Sequence, residues 1–404
     1  MKILLINLKS PVLAGQKKTY MPPVHLWRIR AVLHNYGHSV DICDEHISDD
    51  CRDFLENNNY YLVGVSCRFS VQDKECKRII KIVKNYCENI IVGGIHAIFL
   101  DEKGISTTRL LGEDYFSIIL KNKLMPINEH PYPLFSEGEA KRYWNKKRPH
   151  DLQSMTDRWM PIVTSLGCDR NCGFCGIKDY WGCWQPYSLE YIEKWFKILR
   201  LKGIEELFIE DDNISWNKKR FLDIIKLIKK YKFKWSCPNG IYIRSLLDEE
   251  VIEALKDSGC WRLSLPFETG SSKTAKLMGL GNKWIPFAES DNLVNRLKSI
   301  GIKTCGFFII GYPGEIEADI QSTFAYANGL SLDQRNIYVA TPYPGTRLFK
   351  ECIDKGYVKI TKDFYLQLLY KNAIINTPVL SAERVLLLKK EDRDKALKRK
   401  VKYG

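Results

Sequence analysis

The sequence predicts an α/β protein: a doubly wound parallel sheet followed by a partial (β/α)6 barrel. Three observations predict it. Apolar runs of strand length alternate with periodic segments of helix length through most of the chain, the pattern of parallel sheets covered on both faces. The alternation lapses once, from Asn128 to Thr156, around HPYPLFSEGEAKRYWNKKRPH. At 404 residues the chain also exceeds one average domain, so each side of that lapse can bury its own core. The boundaries that follow are 1–125 for the first domain, 126–156 for a linker, 157–360 for the barrel and 361–404 for a helical, basic tail.

In the first domain, Lys2–Leu8 reads as a strand and Leu26–Tyr36 as a helix stopped at Gly37, a helix C-cap. Ser39–Asp44 and Tyr61–Ser66 are strands, Asp73–Tyr86 is a helix, and Asn89–Val92 is a strand ending at Gly93-Gly94. Ligands of such sheets bind beyond the strands' carboxyl ends, here Lys9–Gly15, Cys67–Ser70 and Gly93–His96. After the lapse, strands are read at Pro161–Ser165, Glu206–Ile209, Lys234–Cys237, Trp261–Pro266, Lys303–Ile309 and Gln334–Val339. Helices fall between them at Leu189–Leu201, Lys218–Tyr231, Asp248–Ser258, Ala288–Ile300 and Glu317–Gly329. A barrel of this kind carries its chemistry at the strand carboxyl ends.

No stretch approaches ~18 consecutive apolar residues, so no membrane span is expected. MKILLINLKS reads as a first strand rather than a signal peptide, which points to the cytoplasm. There the 13 cysteines are expected to be reduced thiols or metal ligands. Most stand singly in apolar runs (Cys43, Cys67, Cys87, Cys237, Cys260, Cys305) and read as small core hydrophobes. Much of the net charge of +14 comes from Lys389–Lys402 and Lys141–Arg148. A solvated basic face is the plain reading. Attraction to nucleic acid or another anionic partner is the alternative, although no nucleic-acid-reading motif accompanies the charge.

One loop does not read as core. Residues 165–176, SLGCDRNCGFCG, place Cys168, Cys172 and Cys175 in a C-x3-C-x2-C spacing directly after the first barrel strand. Structural zinc asks for four ligands, usually as two separated pairs. No second C-x2-C exists, and Cys183 lies between Trp181 and Trp184. Three thiolates can hold a 4Fe–4S cluster while leaving one iron open to a small molecule. A zinc or iron–sulfur binding module without catalysis remains the reading of another class.

With Phe174 before its last cysteine, the loop resembles the signature of the radical S-adenosylmethionine superfamily. The resemblance implies that the open iron chelates the amino and carboxylate groups of S-adenosylmethionine, whose reductive cleavage gives a 5′-deoxyadenosyl radical. Later segments are similar in the same order. FIEDDN (Phe208–Asn213) resembles the strand-end acidic motif, so Glu210, Asp211 or Asp212 would receive the cofactor's ammonium. NGIYIR implies that Arg244 meets its carboxylate, and FETGS that Glu268 meets the ribose hydroxyls. GFFIIGYPGE implies that Gly311 and Pro313 lie against the adenine, and TPYPGTRL (Thr341–Leu348) resembles the sixth-strand element.

The first half resembles the cobalamin-binding domain that precedes many such enzymes, through Pro22-Pro23, Gly37-His38, VGVS (Val63–Ser66), VGGIHA (Val92–Ala97) and Leu111-Gly112-Glu113. The DxHxxG signature, whose histidine ligates cobalt, is absent after the first strand, and DEHISD (Asp44–Asp49) only approaches it. The resemblance therefore implies cobalt without a histidine ligand, in a site made by Cys67, Ser70, Gly93, Gly94 and His96, where the glycines leave room for a flat macrocycle. The expected function is hydrogen abstraction from an unactivated carbon with cobalamin-assisted methyl transfer. The alternative is a cobalamin-independent epimerase, cyclase or rearrangement enzyme acting on a peptide or small molecule. A reducing partner such as flavodoxin or ferredoxin is implied, and no catalytic residue is assigned.

Overall fold

The computed structural model describes residues 1–9, 18–150 and 153–403. The chain begins with β1 (Lys2–Asn7), α1 (Val24–Asn35), β2 (Ser39–Asp44), α2 (Cys51–Asn57), β3 (Leu62–Ser66), α3 (Asp73–Val83) and β4 (Ile90–Gly93). There follow β5 (Ser106–Thr108), α4 (Gly112–Lys121), α5 (Glu137–Trp144), β6 (Trp159–Ile162), β7 (Ser165–Leu166), α6 (Ile177–Trp181) and β8 (Gln185–Pro186). Next are α7 (Leu189–Leu201), β9 (Glu206–Ile209), α8 (Lys218–Lys230), β10 (Lys234–Cys237), α9 (Glu249–Leu255), β11 (Cys260–Glu268) and α10 (Ser272–Leu277). The chain closes with α11 (Phe287–Ser299), β12 (Lys303–Ile310), α12 (Glu317–Gly329), β13 (Gln334–Val339), α13 (Arg347–Asp354), α14 (Phe364–Gln367) and α15 (Ala382–Tyr403).

The first sheet has five parallel strands in the order β2-β1-β3-β4-β5. Its strands are apolar at successive positions because both faces are covered. Leu4 and Ile6 pack with Val63, Val65, Ile79 and Ile80, whereas Ile3 and Leu5 pack with Leu26, Val32 and Phe116. Strand order reverses between β1 and β3, which makes their carboxyl ends the crevice where such sheets take ligands. Of the expected loop Lys9–Gly15 at that edge, residues 10–15 lie outside the described residues.

The second sheet has six strands in the order β13-β12-β11-β10-β9-β6, so all six expected strands form. Strand order follows chain order, as in a barrel wound one way, and β6 and β13 are its two ends. The chain divides into two compact units, 1–161 with 186–207, and 162–185 with 208–404. Segment 186–207, with α7, thus groups with the first unit.

Before the barrel, four elements, α2, β5, α4 and α5, have no counterpart in the sequence reading. The expected linker holds α5, and its neighbours are not loose. Ser136 Oγ accepts from the Glu139 amide at 3.2 Å and Glu139 accepts from the Ser136 amide at 2.8 Å, a closed capping box. Phe135 stacks on Trp27 at 4.7 Å, and Tyr143 and Trp144 are buried. Eight residues make two turns, too few for a helical period to show among prolines and lysines. Among the described residues no helix is long and apolar enough to cross a membrane.

Candidate active site

The cysteine loop leaves β7 through Gly167, whose φ is +73° and whose absent side chain leaves space for the Cys183 carbonyl, 2.5 Å from where a Cβ would stand. Only glycine suits both demands. The loop is then stitched down. The Gly173 amide donates to Met278 O at 2.8 Å, and Gly173 O accepts from the Leu348 amide at 2.8 Å. A Cβ on Gly173 would lie 2.4 Å from the Tyr312 hydroxyl. Cys168, Cys172 and Cys175 are partly buried free thiols. Burial raises the Cys172 thiol and pushes Cys175 up to about 12, while Lys283 opposes both shifts.

The three sulfurs do not converge on one point. Among the described residues, the cysteine, histidine and carboxylate groups with three ligand atoms within 4.8 Å are Glu45, Asp50 and Cys51 alone. The loop thiols are therefore spread more widely than one tetrahedral zinc allows, since Zn–S bonds are about 2.3 Å. A wider spacing is what a cluster asks for, since each cysteine there holds a separate iron. Asn213 adds an N–H directed at Cys168 Sγ, 3.8 Å away.

The three acids after β9 separate by environment. Asp211 is fully buried and accepts from the Thr164 amide at 2.7 Å, Thr164 Oγ1 at 2.7 Å and Ser165 Oγ at 2.5 Å. It is an internal strut joining two strand ends. Asp212 is partly exposed, accepts from the Gly167 amide at 3.0 Å and feels the Cys175 thiol. Burial raises its pKa to about 7, with the Asp211 carboxylate adding to the rise. Glu210 is partly exposed, and its carbonyl accepts from Asn239 Nδ2 at 3.1 Å.

Glu268 closes β11 with a left-handed φ of +68°, at a register shift against β12. A non-glycine residue there costs roughly 1–3 kcal/mol and is retained where the surroundings force it. Its carboxylate is buried and pairs with Lys283 at 2.6 Å. Lys283 lies in a turn that the sequence reading passed over. Arg170 of the cysteine loop reaches that turn through Asn282 Oδ1 at 2.7 Å. Arg244 donates to the carbonyls of Asn282 and Trp284. Two of its nitrogens thus hold the turn. Arg244 could be found from the motif, but Lys283 had no spacing signal because only the fold brings it beside Glu268.

Gly311 and Pro313 are buried, and a Cβ on Gly311 would sit 3.0 Å from Val385 of α15. Their turn is pinned by Glu315, which accepts from the Tyr312 amide at 2.8 Å and Thr274 Oγ1 at 3.1 Å. Phe174 is partly exposed. Phe267 and Phe308 face Tyr326 of α12 and are buried, whereas the alternate positions Pro266, Phe307 and Ile309 are only half-buried. On the same face Ser264, Glu268 and Cys305 are buried, so only part of it is accessible.

At the crevice of the first unit, most of the expected residues are buried. His96 is fully buried and meets Asp73 at 2.9 Å, Cys67 is fully buried and hydrogen-bonded with Cys76, and Ser70 is buried. Gly94 (φ +112°) serves the chain's own turn, since a Cβ would stand 2.5 Å from Cys67 O. Gly93 meets only Thr108 Cγ2, at 3.6 Å. Between them, Arg68 and Phe69 are partly or well exposed. His46, in the near-signature, is engaged with Thr19 O at 2.6 Å. The residues present fit a cobalt without a histidine from this set.

A family model described as the radical SAM superfamily matches residues 162–327, and one described as the B12 binding domain matches residues 11–115. The chain carries a radical SAM domain and a B12-binding domain. It is 23% identical to cytidylyl-2-hydroxyethylphosphonate methyltransferase of Streptomyces wedmorensis, over 94% of this chain and 86% of that one. It is 25% identical to bacteriochlorophyllide d C-12(1)-methyltransferase of Chlorobaculum tepidum, over 82% and 74%. The fold matches that of the radical S-adenosylmethionine methyltransferase TsrM from Kitasatospora setae, solved with cobalamin and a 4Fe–4S cluster, with a TM-score of 0.67 and 16% identity over 89% of this chain and 79% of that one. The radical SAM and B12-binding domains therefore occupy the barrel and the doubly wound sheet that the sequence predicts.

Proposed function

We propose that the chain is a cobalamin-dependent radical S-adenosylmethionine methyltransferase acting on a small molecule. The observation that carries this is the loop of three separated thiols bordered by Asp212, Glu268 and Lys283, in one chain with a B12-binding domain. Cys168, Cys172 and Cys175 would hold the cluster. When bound, the cluster supplies an electron, S-adenosylmethionine the radical and methyl group, and cobalamin the methyl carrier.

The chain's own residues bind, orient and screen. Asp211 holds the strand ends together, which leaves Asp212 to accept the cofactor's ammonium beside Cys175. Glu268, fixed by its strained backbone, accepts from the ribose hydroxyls. Arg244 supplies countercharge to the carboxylate from the turn it holds. Phe174 and the 311–313 turn border the adenine. The loops 67–70 and 93–96 would shield one face of the corrin, with Arg68 and Phe69 as the side chains that reach it. The half-buried positions Pro266, Phe307 and Ile309 on the inner face of β11 and β12 would border a substrate. The cytoplasm, where thiols stay reduced, is the compartment that suits this chemistry, and a flavodoxin or ferredoxin would supply the electron.

The test is anaerobic: protein loaded with iron, sulfide and hydroxocobalamin is given methyl-deuterated S-adenosylmethionine and reductant. Formation of both S-adenosylhomocysteine and 5′-deoxyadenosine is expected. Release of 5′-deoxyadenosine alone, with or without cobalamin, would move the protein to the cobalamin-independent class.

A further inference from the structure

The turn at 278–284 is laced to the cysteine loop by hydrogen bonds at three points. The Gly173 amide donates to Met278 O at 2.8 Å, Arg170 Nη1 donates to Leu280 O at 3.4 Å, and Arg170 Nη2 donates to Asn282 Oδ1 at 2.7 Å. Trp284 Nε1 ties the same turn to Thr269 O at 2.9 Å, next to Glu268. The one lysine in this lacing, Lys283, has a side chain only 13% exposed, with its ammonium 2.6 Å from Glu268. A lysine used only for solubility would not be held inside four such tethers.

We propose that Lys283 is a positioning residue that sets the reduction potential of the cluster borne by Cys168, Cys172 and Cys175, while holding the Glu268 carboxylate in place. The inference rests on the cluster reading above. Reduction adds one electron to the cluster and forms no bond, so the reduced state is the more negative one. A fixed cation in a poorly solvated site favours that state, because Coulomb energy grows as the effective dielectric falls. Glu268 acts in the opposite sense. The hydrogen bonds from Gly173 and Arg170 of the cysteine loop hold the lysine's turn against that loop. The ion pair with Glu268, 2.6 Å away, holds the lysine's charge in place despite its burial.

The test is an EPR-monitored redox titration of the full-length, cluster-loaded protein with dithionite and mediators, without S-adenosylmethionine. Iron and sulfide are measured first. For Lys283→Met, the ratio of reduced to oxidised cluster at a fixed potential should fall at least tenfold, which is 59 mV for a one-electron couple. Lys283→Arg should keep the wild-type ratio, and Glu268→Gln should raise it. If Lys283→Met does not assemble a cluster, the rise in Glu268→Gln against an unchanged ratio in Lys283→Arg still decides. Equal midpoints in loaded wild-type and variant proteins overturn the inference alone. A wild-type protein that assembles no cluster overturns the cluster reading and this inference together.

Discussion

Each residue of the cysteine loop and its border carries a separable task, and single substitutions should separate them. Alanine at Cys168, Cys172 or Cys175 leaves two thiolates for a four-iron cluster, so iron and sulfide should drop sharply. Cys183→Ala should keep them, since Cys183 is exposed. Iron analysis of the four variants checks this, and full loading of Cys172→Ala would sink the assignment. Glu268→Gln should weaken S-adenosylmethionine binding on the order of tenfold to a hundredfold, the worth of one charge-assisted bond. It should also lower the melting temperature, because Lys283 is left buried and unpaired. In Glu268→Gln/Lys283→Met the melting temperature should recover while binding does not, and calorimetry with ligand titration reads both. Asp211→Asn should cost stability, whereas Asp212→Asn should cost cofactor binding. The motif alone left the three acids equivalent; their hydrogen bonds tell them apart.

At the scale of elements, the turn after β12 depends on a buried acid. Burial pushes Glu315 up to about 7, against the hydrogen bonds it accepts. A carboxylate whose folded pKa lies above its unfolded value stabilises the native state only while protonated. Its contribution is complete below about 4.5 and is lost as pH rises towards 7. Melting curves between pH 5 and 8 should therefore converge, wild type losing stability relative to Glu315→Gln as pH rises. Parallel curves for the two proteins would contradict the assignment. The barrel helices α7 and α8 were legible because they are long and one-sided, and strands such as β6 and β9 because they are short, wholly buried apolar runs. The helix at 137–144 was not, for its eight residues carry a cap signal but no full period.

For the whole molecule, the question is whether the first unit carries cobalamin. Hydroxocobalamin should travel with the cluster-loaded protein on anaerobic gel filtration. The EPR spectrum of the bound cob(II)alamin should lack the splitting that a nitrogen ligand imposes, because His96 and His46 are engaged within the fold. Such splitting, or loss of corrin absorbance on the column, would refute this part of the reading.

The order of motifs, the cysteine spacing and the alternation of apolar runs are local properties, and the sequence by itself determined them: two α/β sheets, a three-thiol loop after the first barrel strand, and an acidic strand end. The tertiary structure decided what depends on distances between segments remote in sequence. Asp211 became a strut because Thr164 and Ser165 lie beside it, 46 or 47 residues away along the chain. Gly94 proved to serve a turn because the Cys67 carbonyl occupies the space its side chain would need. Lys283 entered the site because a turn after α10 folds back onto Glu268, 15 residues earlier. Residue type sets what a group can do, but burial and charge partners set which of those things it does, and these exist only once the chain has closed on itself.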